Sequence, residues 1–353
     1  MSSNGSPEEA MQRVLTVLNG GMLSLMISIG HRTSLFDVLA ELPASTSSDI
    51  ARQADLDERY VREWLRAMTV GSIVSYDASE DTYALPPEMA MFLTRAAGPG
   101  NLATFTQTVG LLASVEGDIV EAFANGGGVA YSKFPHFQAL MAEASGMSHD
   151  ALLLNSVVPV VDGLHERLTA GADVLDVGCG RGYALQLLAD AYPRSSFTGY
   201  DISEAAIGFA RAAAEGAGLS NVSFELVDAA TISQQSKAFD VVMAFDAIHD
   251  QAFPDVVLRE IRKVLRESGV FLCVDIAASS HVAENVTHPL APYLYTVSCM
   301  HCMTVSLADG GAGLGAMWGR ELAVSMMSEA GFTDVQIKNV EGDIMNQYYV
   351  ARP

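Results

Sequence analysis

Nine residues, Val174-Leu175-Asp176-Val177-Gly178-Cys179-Gly180-Arg181-Gly182, constrain the fold of this 353-residue chain more than any other stretch. A short apolar run breaks into a glycine turn, and a helical pattern resumes over Tyr183–Ala191. That is a strand delivered into a helix through a loop on which a ligand can sit close to the backbone. From Ala172 onward the same texture repeats. Phe197–Tyr200, Val222–Val227, Val241–Phe245 and Val270–Asp275 read as strands, with helices over Glu204–Gly216, Phe253–Glu267 and Glu321–Ala330. Val335–Val340 and Met345–Ala351, joined by Glu341-Gly342-Asp343, close the chain as an antiparallel pair. Repeated strand–helix units predict an α/β fold, a doubly wound parallel sheet of seven strands with a terminal antiparallel strand.

The spacing of the glycines narrows the ligand. A dinucleotide loop reads G-x-G-x-x-G, but position 183 is Tyr and the third glycine comes one place early. A nicotinamide dehydrogenase is therefore disfavoured. Asp201 ends the second strand and Asp228 the third, 25 and then 27 residues along. With Asp176 they place three acids at the carboxyl edge of the sheet, beside the switch point where such folds bind ligands. A carboxylate on the second strand can hold both hydroxyls of a ribose, and one on the third can accept from an adenine amino group. Asp176 can brace the glycine loop or, through water, meet a ligand ammonium.

The N-terminal part is different. Asp49–Ala54 and Glu58–Val70 read as helices, the second with Val61, Trp64, Leu65 and Met68 on one face, followed by a hairpin over Ile73–Tyr76 and Thr82–Leu85. This is a winged-helix pattern over residues 1–95. It could present Arg59, Arg62 and Arg66 to DNA, which would make the chain a transcriptional regulator that senses its ligand. Against that, residues 1–95 carry seven arginines, no lysine and thirteen acids, a net of −6, so a packing or dimerisation domain is expected. Residues 96–170 read as a helical linker and substrate cap, with helices over Asn101–Phe123 and Ser148–Leu168. Between these lie three glycines, 126–128, and an aromatic cluster including Tyr131 and Phe137 that could close over a ligand.

Glycine loop, ribose carboxylate and adenine carboxylate together resemble the class I S-adenosylmethionine-dependent methyltransferases, over residues 171–353. The winged helix ahead of them makes the chain similar to small-molecule O-methyltransferases that dimerise through that domain, and to mycobacterial-type methyltransferases labelled transcriptional regulators because of it. The resemblance implies S-adenosylmethionine as cofactor, released as S-adenosylhomocysteine. It implies a cofactor site of Asp176, Gly178, Cys179, Gly180, Arg181, Gly182, Asp201, Ile202, Asp228, Ala229 and Phe245. His249-Asp250 follows the fourth strand at the place where plant O-methyltransferases carry their general base, although Gln251 replaces the usual aromatic residue. An imidazole suits deprotonation of a hydroxyl near neutral pH.

Residues 281–319 hold two acids, Glu284 and Asp309, and no lysine or arginine. An apolar, glycine-jointed insertion at the sheet edge reads as a lid over an apolar acceptor pocket, with Tyr295, His301 and Met303 joining Tyr131 and Phe137 in its lining. Cys299 and Cys302 lack the second pair that a structural zinc site needs, so no metal is expected. A net charge of −22 excludes a general nucleic-acid binder, and four cysteines suit a reducing cytoplasm. Val14–Gly30 is uncharged for 17 residues but interrupted by Asn19, Gly20, Gly21, Ser24 and Ser28. It reads as a buried helix and not a membrane span, which takes ~20 mostly apolar residues. The expectation is a cytoplasmic homodimer that methylates a small apolar acceptor at oxygen by metal-independent in-line displacement.

Overall fold

The computed structural model describes residues 6–353, which form two compact units, Met1–Ala113 and Ser114–Pro353. In the first, α1 (Pro7–Arg32) starts from a capping box in which Ser6 and Glu9 bond each other's backbone N–H. α2 (Leu35–Glu41), α3 (Ser47–Ala54) and α4 (Glu58–Val70) follow, the last capped by Asp57. β1 (Ser75–Asp77) and β2 (Thr82–Ala84) pair antiparallel as the wing, and Ser45 bridges to Tyr83. α5 (Pro87–Leu93) and α6 (Ala103–Ala113) complete the unit. Its core collects Phe36, Ile50, Leu65 and Met68, and the Trp64 indole donates to the Met26 carbonyl at 2.7 Å. On α4, Arg59 pairs with Glu63 and Arg62 with Glu58 at 3.4 Å, so these two arginines spend their charge on neighbouring acids.

Two sequence expectations need correction in the helices. α1 is not a buried helix: only Ser28, Gly30 and His31 are buried, while Val14 and Val17 are 68% and 76% exposed. Only its last turns reach the core. The helix expected over 101–123 is two, α6 and Glu116–Asn125, because Val115 leaves helical geometry and the acids Glu116 and Asp118 suit a fresh start.

The second unit is built on a seven-stranded sheet. Its strands are β3 (Asp173–Val177), β4 (Ser196–Asp201), β5 (Val222–Leu226), β6 (Phe239–Phe245), β7 (Leu265–Ile276), β8 (Asp334–Lys338) and β9 (Asn346–Arg352). They lie in the order β5-β4-β3-β6-β7-β9-β8; all neighbours are parallel except β9, which runs antiparallel to β7 and β8. The order reverses between β3 and β6, the switch point. Alternate residues feed two cores: Val174, Val241, Met243 and Leu272 on one face, Leu175, Val242, Ala244 and Phe271 on the other. Leu265 pairs with Phe239, which ends the preceding helix at Val264 and not at Glu267. The single helix expected over 148–168 is likewise broken. His149–Val157 is a π-helix that runs on through Val158–Val160, Val161 turns extended, and Leu164–Ala170 starts anew after Gly163.

The close fit of α1 to the first unit's core is testable. A Cβ on Gly30 would lie 2.5 Å from Trp64 Cζ2 and 2.7 Å from Phe36 Cε2. Overpacking of ~1–3 kcal/mol outweighs the ~1 kcal/mol that alanine gains in helix propensity. Gly30→Ala is expected to lower the denaturant midpoint by the equivalent of up to about 2 kcal/mol, read by urea titration.

Candidate active site

The glycine loop hangs from the carboxyl ends of β3 and β4. Gly178 and Cys179 donate to the Tyr200 carbonyl at 2.8 and 3.1 Å, and Gly182 to the Cys179 carbonyl at 2.8 Å. Gly182 has φ +72 and starts the helix Tyr183–Ala191; a Cβ there would lie 2.2 Å from the Phe224 ring, so only glycine fits. Asp201, at the end of β4, accepts from Gly180 N–H through one oxygen and from Ser203 N–H through the other, both at 2.8 Å. Burial holds its carboxyl above the ordinary range despite those bonds.

Asp176 is 2% exposed, and its Oδ1 is buried with no hydrogen-bond partner. Burial, with the Asp201 charge beside it, pushes its pKa up to about 8. A buried carboxylate with an unanswered oxygen wants a cation. Asp228 is exposed and caps the 3₁₀ turn Ala229–Gln235 through Ala230 N–H at 2.9 Å, while Ala229 is buried under it. Ile202, beside Asp201, is 70% exposed at this edge. Cys179 turns into the core below the loop, where a Cβ on Gly199 would touch its sulfur, and Arg181 lies over the Phe209 ring at 4.4 Å. Phe245, at the end of β6, meets the His149 ring edge-on.

A second cluster gathers beyond β6. His249 is 4% exposed; its Nδ1 lies 2.7 Å from Asp275 Oδ1 and its Nε2 3.2 Å from Asp250 Oδ1. Burial opposes an imidazolium, but the two carboxylates prevail and hold the pKa of His249 well above its usual value. Burial also works against the Asp250 charge, yet His249 keeps that carboxyl below the ordinary range. Asp275 was missed as a site residue in the sequence, although the rule that selects Asp201 and Asp228, an acid at a strand's carboxyl end, applies to it equally.

The insertion supplies the third element. After the helix Ala291–Val297 comes the π-helix Ser298–Cys302 and the helix Met303–Ala308. His301 stacks on Phe137 at 3.8 Å and meets Tyr131 and Phe134 edge-on at 5.6 and 4.6 Å. It is 1% exposed with neither ring nitrogen bonded, and burial pulls its pKa down. Tyr131 and Phe137 are thus brought to His301, and Phe134 joins them. Tyr295 is 36% exposed, its hydroxyl bonded by Asn285 Nδ2 at 3.0 Å, and Met303 is half-buried near Gly315.

Comparison with known proteins agrees with this architecture. Residues 21–95 match the model of the Rv2258c-like winged HTH domain, and residues 168–331 that of a methyltransferase domain. The chain thus carries a match to a winged HTH domain followed by a match to a methyltransferase domain. A fatty-acid O-methyltransferase of Mycolicibacterium smegmatis is 36% identical over 114 residues, 32% of this chain and 40% of that protein. The chain thus spans about two fifths of this curated relative's length. Over the whole chain it shares the fold of PigF solved with SAH (18% identity, TM-score 0.71, 99% and 100% of the two chains). The mitomycin 7-O-methyltransferase MmcR is similar as well (16% identity, TM-score 0.70, 98% of each).

The unanswered Asp176 oxygen, beside the glycine loop, fits a ligand bearing an ammonium group. The same burial has a consequence for stability. An unfolded aspartate ionises near pH ~4, whereas Asp176 in the folded chain holds its proton up to about 8. Unfolding is therefore favoured progressively as pH rises from ~4 to ~8, and the penalty levels off above that. Thermal melts of the ligand-free protein are expected to fall over that window, and Asp176→Asn to flatten the fall.

Proposed function

We propose that the chain is an S-adenosylmethionine-dependent O-methyltransferase acting on a small, largely apolar acceptor without a metal. The observation that carries this reading is the buried, unpartnered Asp176 oxygen beside the glycine loop, at the switch point of the sheet. Gly178, Gly180 and Gly182 leave room for the methionine part of the cofactor, and Asp176 faces its ammonium. Asp201 accepts from the ribose hydroxyls, since each carboxylate oxygen keeps a lone pair beyond its backbone bond. Asp228 accepts from the adenine amino group, with Ile202 and Ala229 flanking the base and Phe245 bordering the site. Bound there, S-adenosylmethionine supplies an electrophilic methyl group on a sulfonium.

The chain's own chemistry is proton handling and positioning. Asp275 holds His249 Nδ1 and so aims Nε2 away from β7. In the resting arrangement Nε2 is taken by Asp250. A hydroxyl acceptor that displaces this contact delivers its proton to Nε2, and the imidazolium that forms is stabilised by the same two carboxylates. The aromatic group of Tyr131, Phe134 and Phe137 with His301 supports an apolar pocket under the insertion, which acts as its lid. The four cysteines are free, which supports a reducing, cytoplasmic setting.

The winged helix serves assembly in this reading. α1 is long and apolar enough to cross a membrane by length and composition, yet Gln12, Arg13 and Asn19 lie within it. An exposed face bearing Met11, Val14, Leu18 and Met22 requires cover. A second copy of α1 provides it, and the paired arginines and net acidity of residues 1–95 leave little for DNA.

Calorimetric titration is expected to show binding of S-adenosylhomocysteine and none of NAD. His249→Ala is expected to keep that affinity while turnover falls by ~10²–10⁴. Because the folded His249 holds its proton above the usual imidazole value, wild-type turnover is expected to rise with pH to beyond ~6.5 before levelling. Binding of NAD alone, or an unaltered rate in His249→Ala, overturns these assignments. Light scattering of the full chain is expected to give the mass of two copies. A monomer that sediments with lipid vesicles would assign α1 to a membrane instead.

A further inference from the structure

The geometry points to a site for a thiophilic divalent cation, of the Zn²⁺ class, formed by His249 Nε2, the Asp250 carboxylate and Cys302 Sγ, and we propose that its occupation switches methyl transfer off. The three ligand atoms lie within 4.8 Å of one another. Roughly 3.3–3.8 Å separates neighbouring donors around a tetrahedral zinc ion with bonds of 2.0–2.3 Å, so a small closure of side chains completes the set. Imidazole, carboxylate and thiolate are donors that such an ion accepts.

What lifts this above a chance triplet is the second layer. Asp275 is fully buried and bonds His249 Nδ1 at 2.7 Å, so Nε2, which faces Asp250 at 3.2 Å, is the nitrogen directed toward the other two ligands. A carboxylate behind the histidine is the support that metal-bound imidazoles characteristically have, because it fixes the ring and raises its donor strength. Cys302 arrives on the π-helix Ser298–Cys302, a local widening of the helix of the sort that recurs at functional positions. At that same turn His301 is 1% exposed with neither ring nitrogen bonded among the described residues, a second buried polar group without a partner beside the cluster. The pairing is invisible in the chain because Cys302 lies 53 residues after His249. The Cys299–Cys302 spacing directs attention to the wrong partner: Cys299 is absent from the cluster.

Inhibition arises from the same atoms. An ion on Nε2 occupies the lone pair that takes the acceptor's proton, and an ion held by Asp250 keeps that carboxylate from moving aside. Binding stands on the geometry alone; the inhibition rests on the reading of His249 as the base.

The test uses the full-length chain with Co²⁺ as a spectroscopic probe and Zn²⁺ as competitor. One Co²⁺ per chain is expected to produce a thiolate-to-cobalt charge-transfer band in the near ultraviolet, displaced by Zn²⁺. Cys302→Ser is expected to abolish the band while keeping the wild-type melting profile and S-adenosylhomocysteine affinity, and Cys299→Ser to preserve it. Asp275→Asn is expected to weaken Zn²⁺ binding by ~10–100-fold. Zn²⁺ is expected to suppress methyl transfer in the wild type and to spare Cys302→Ser. No band in the wild type, a band that survives Cys302→Ser, or one lost in Cys299→Ser overturns the site. A band with transfer indifferent to Zn²⁺ overturns the inhibition. If no acceptor is methylated while the band behaves as expected, the methyltransferase reading fails and the cation site stands.

Discussion

Buried carboxylates whose charge must be answered organise the functional half of this protein. Asp201 is satisfied by two backbone N–H groups, and in accepting them it ties the glycine loop to the helix start at Ser203. Asp275 accepts an imidazole contact and Ile276 N–H on Oδ1, while its Oδ2 is buried with no hydrogen-bond partner among the described residues. Asp176 Oδ1 finds no hydrogen-bond partner among the described residues, and burial, with the Asp201 charge beside it, pushes its pKa up to about 8. An isolated buried charge costs several kcal/mol, so each of these acids constrains what surrounds it.

Those roles depend on a sheet that brings strand ends together. β3, β4 and β5 end side by side in parallel, so residues about 25 apart in sequence become neighbours along one edge. On the other side of the switch point β6 and β7 carry His249 and Asp275 to the same edge, 26 residues apart. The two apolar faces anchor the strands while the edge is left to polar groups. The insertion then folds over from beyond β7. It contributes an imidazole, His301, enclosed by the rings of Tyr131, Phe134 and Phe137.

Much of this was legible in the residues. The helices Tyr183–Ala191 and Glu204–Gly216 begin and end where the apolar period does, and the strands differ from expectation by a residue or two except for β7. β7 starts five residues early, because Leu265 is claimed by pairing to Phe239, a long-range contact that overrides local helical preference. The breaks within 101–123 and 148–168 escaped for a related reason. Both stretches are apolar enough to read as continuous, and Val115 and the π-helical turn at His149–Val157 answer to packing and not to period.

The sequence by itself determined the order of strands and helices, the glycine loop and the acids at strand ends, because these arise from periodicities and backbone freedoms that act over a few residues. It also carried the acid excess of the winged-helix part, thirteen acids against seven arginines over residues 1–95. Only the tertiary structure decided which of α1's apolar residues stay uncovered, that Asp275 stands behind His249, and that Cys302 and His301 come from the insertion to meet the fourth strand's end. Burial and electrostatic pairing are properties of proximity in space. In a parallel α/β sheet proximity is set by crossovers tens of residues long, which no local pattern records.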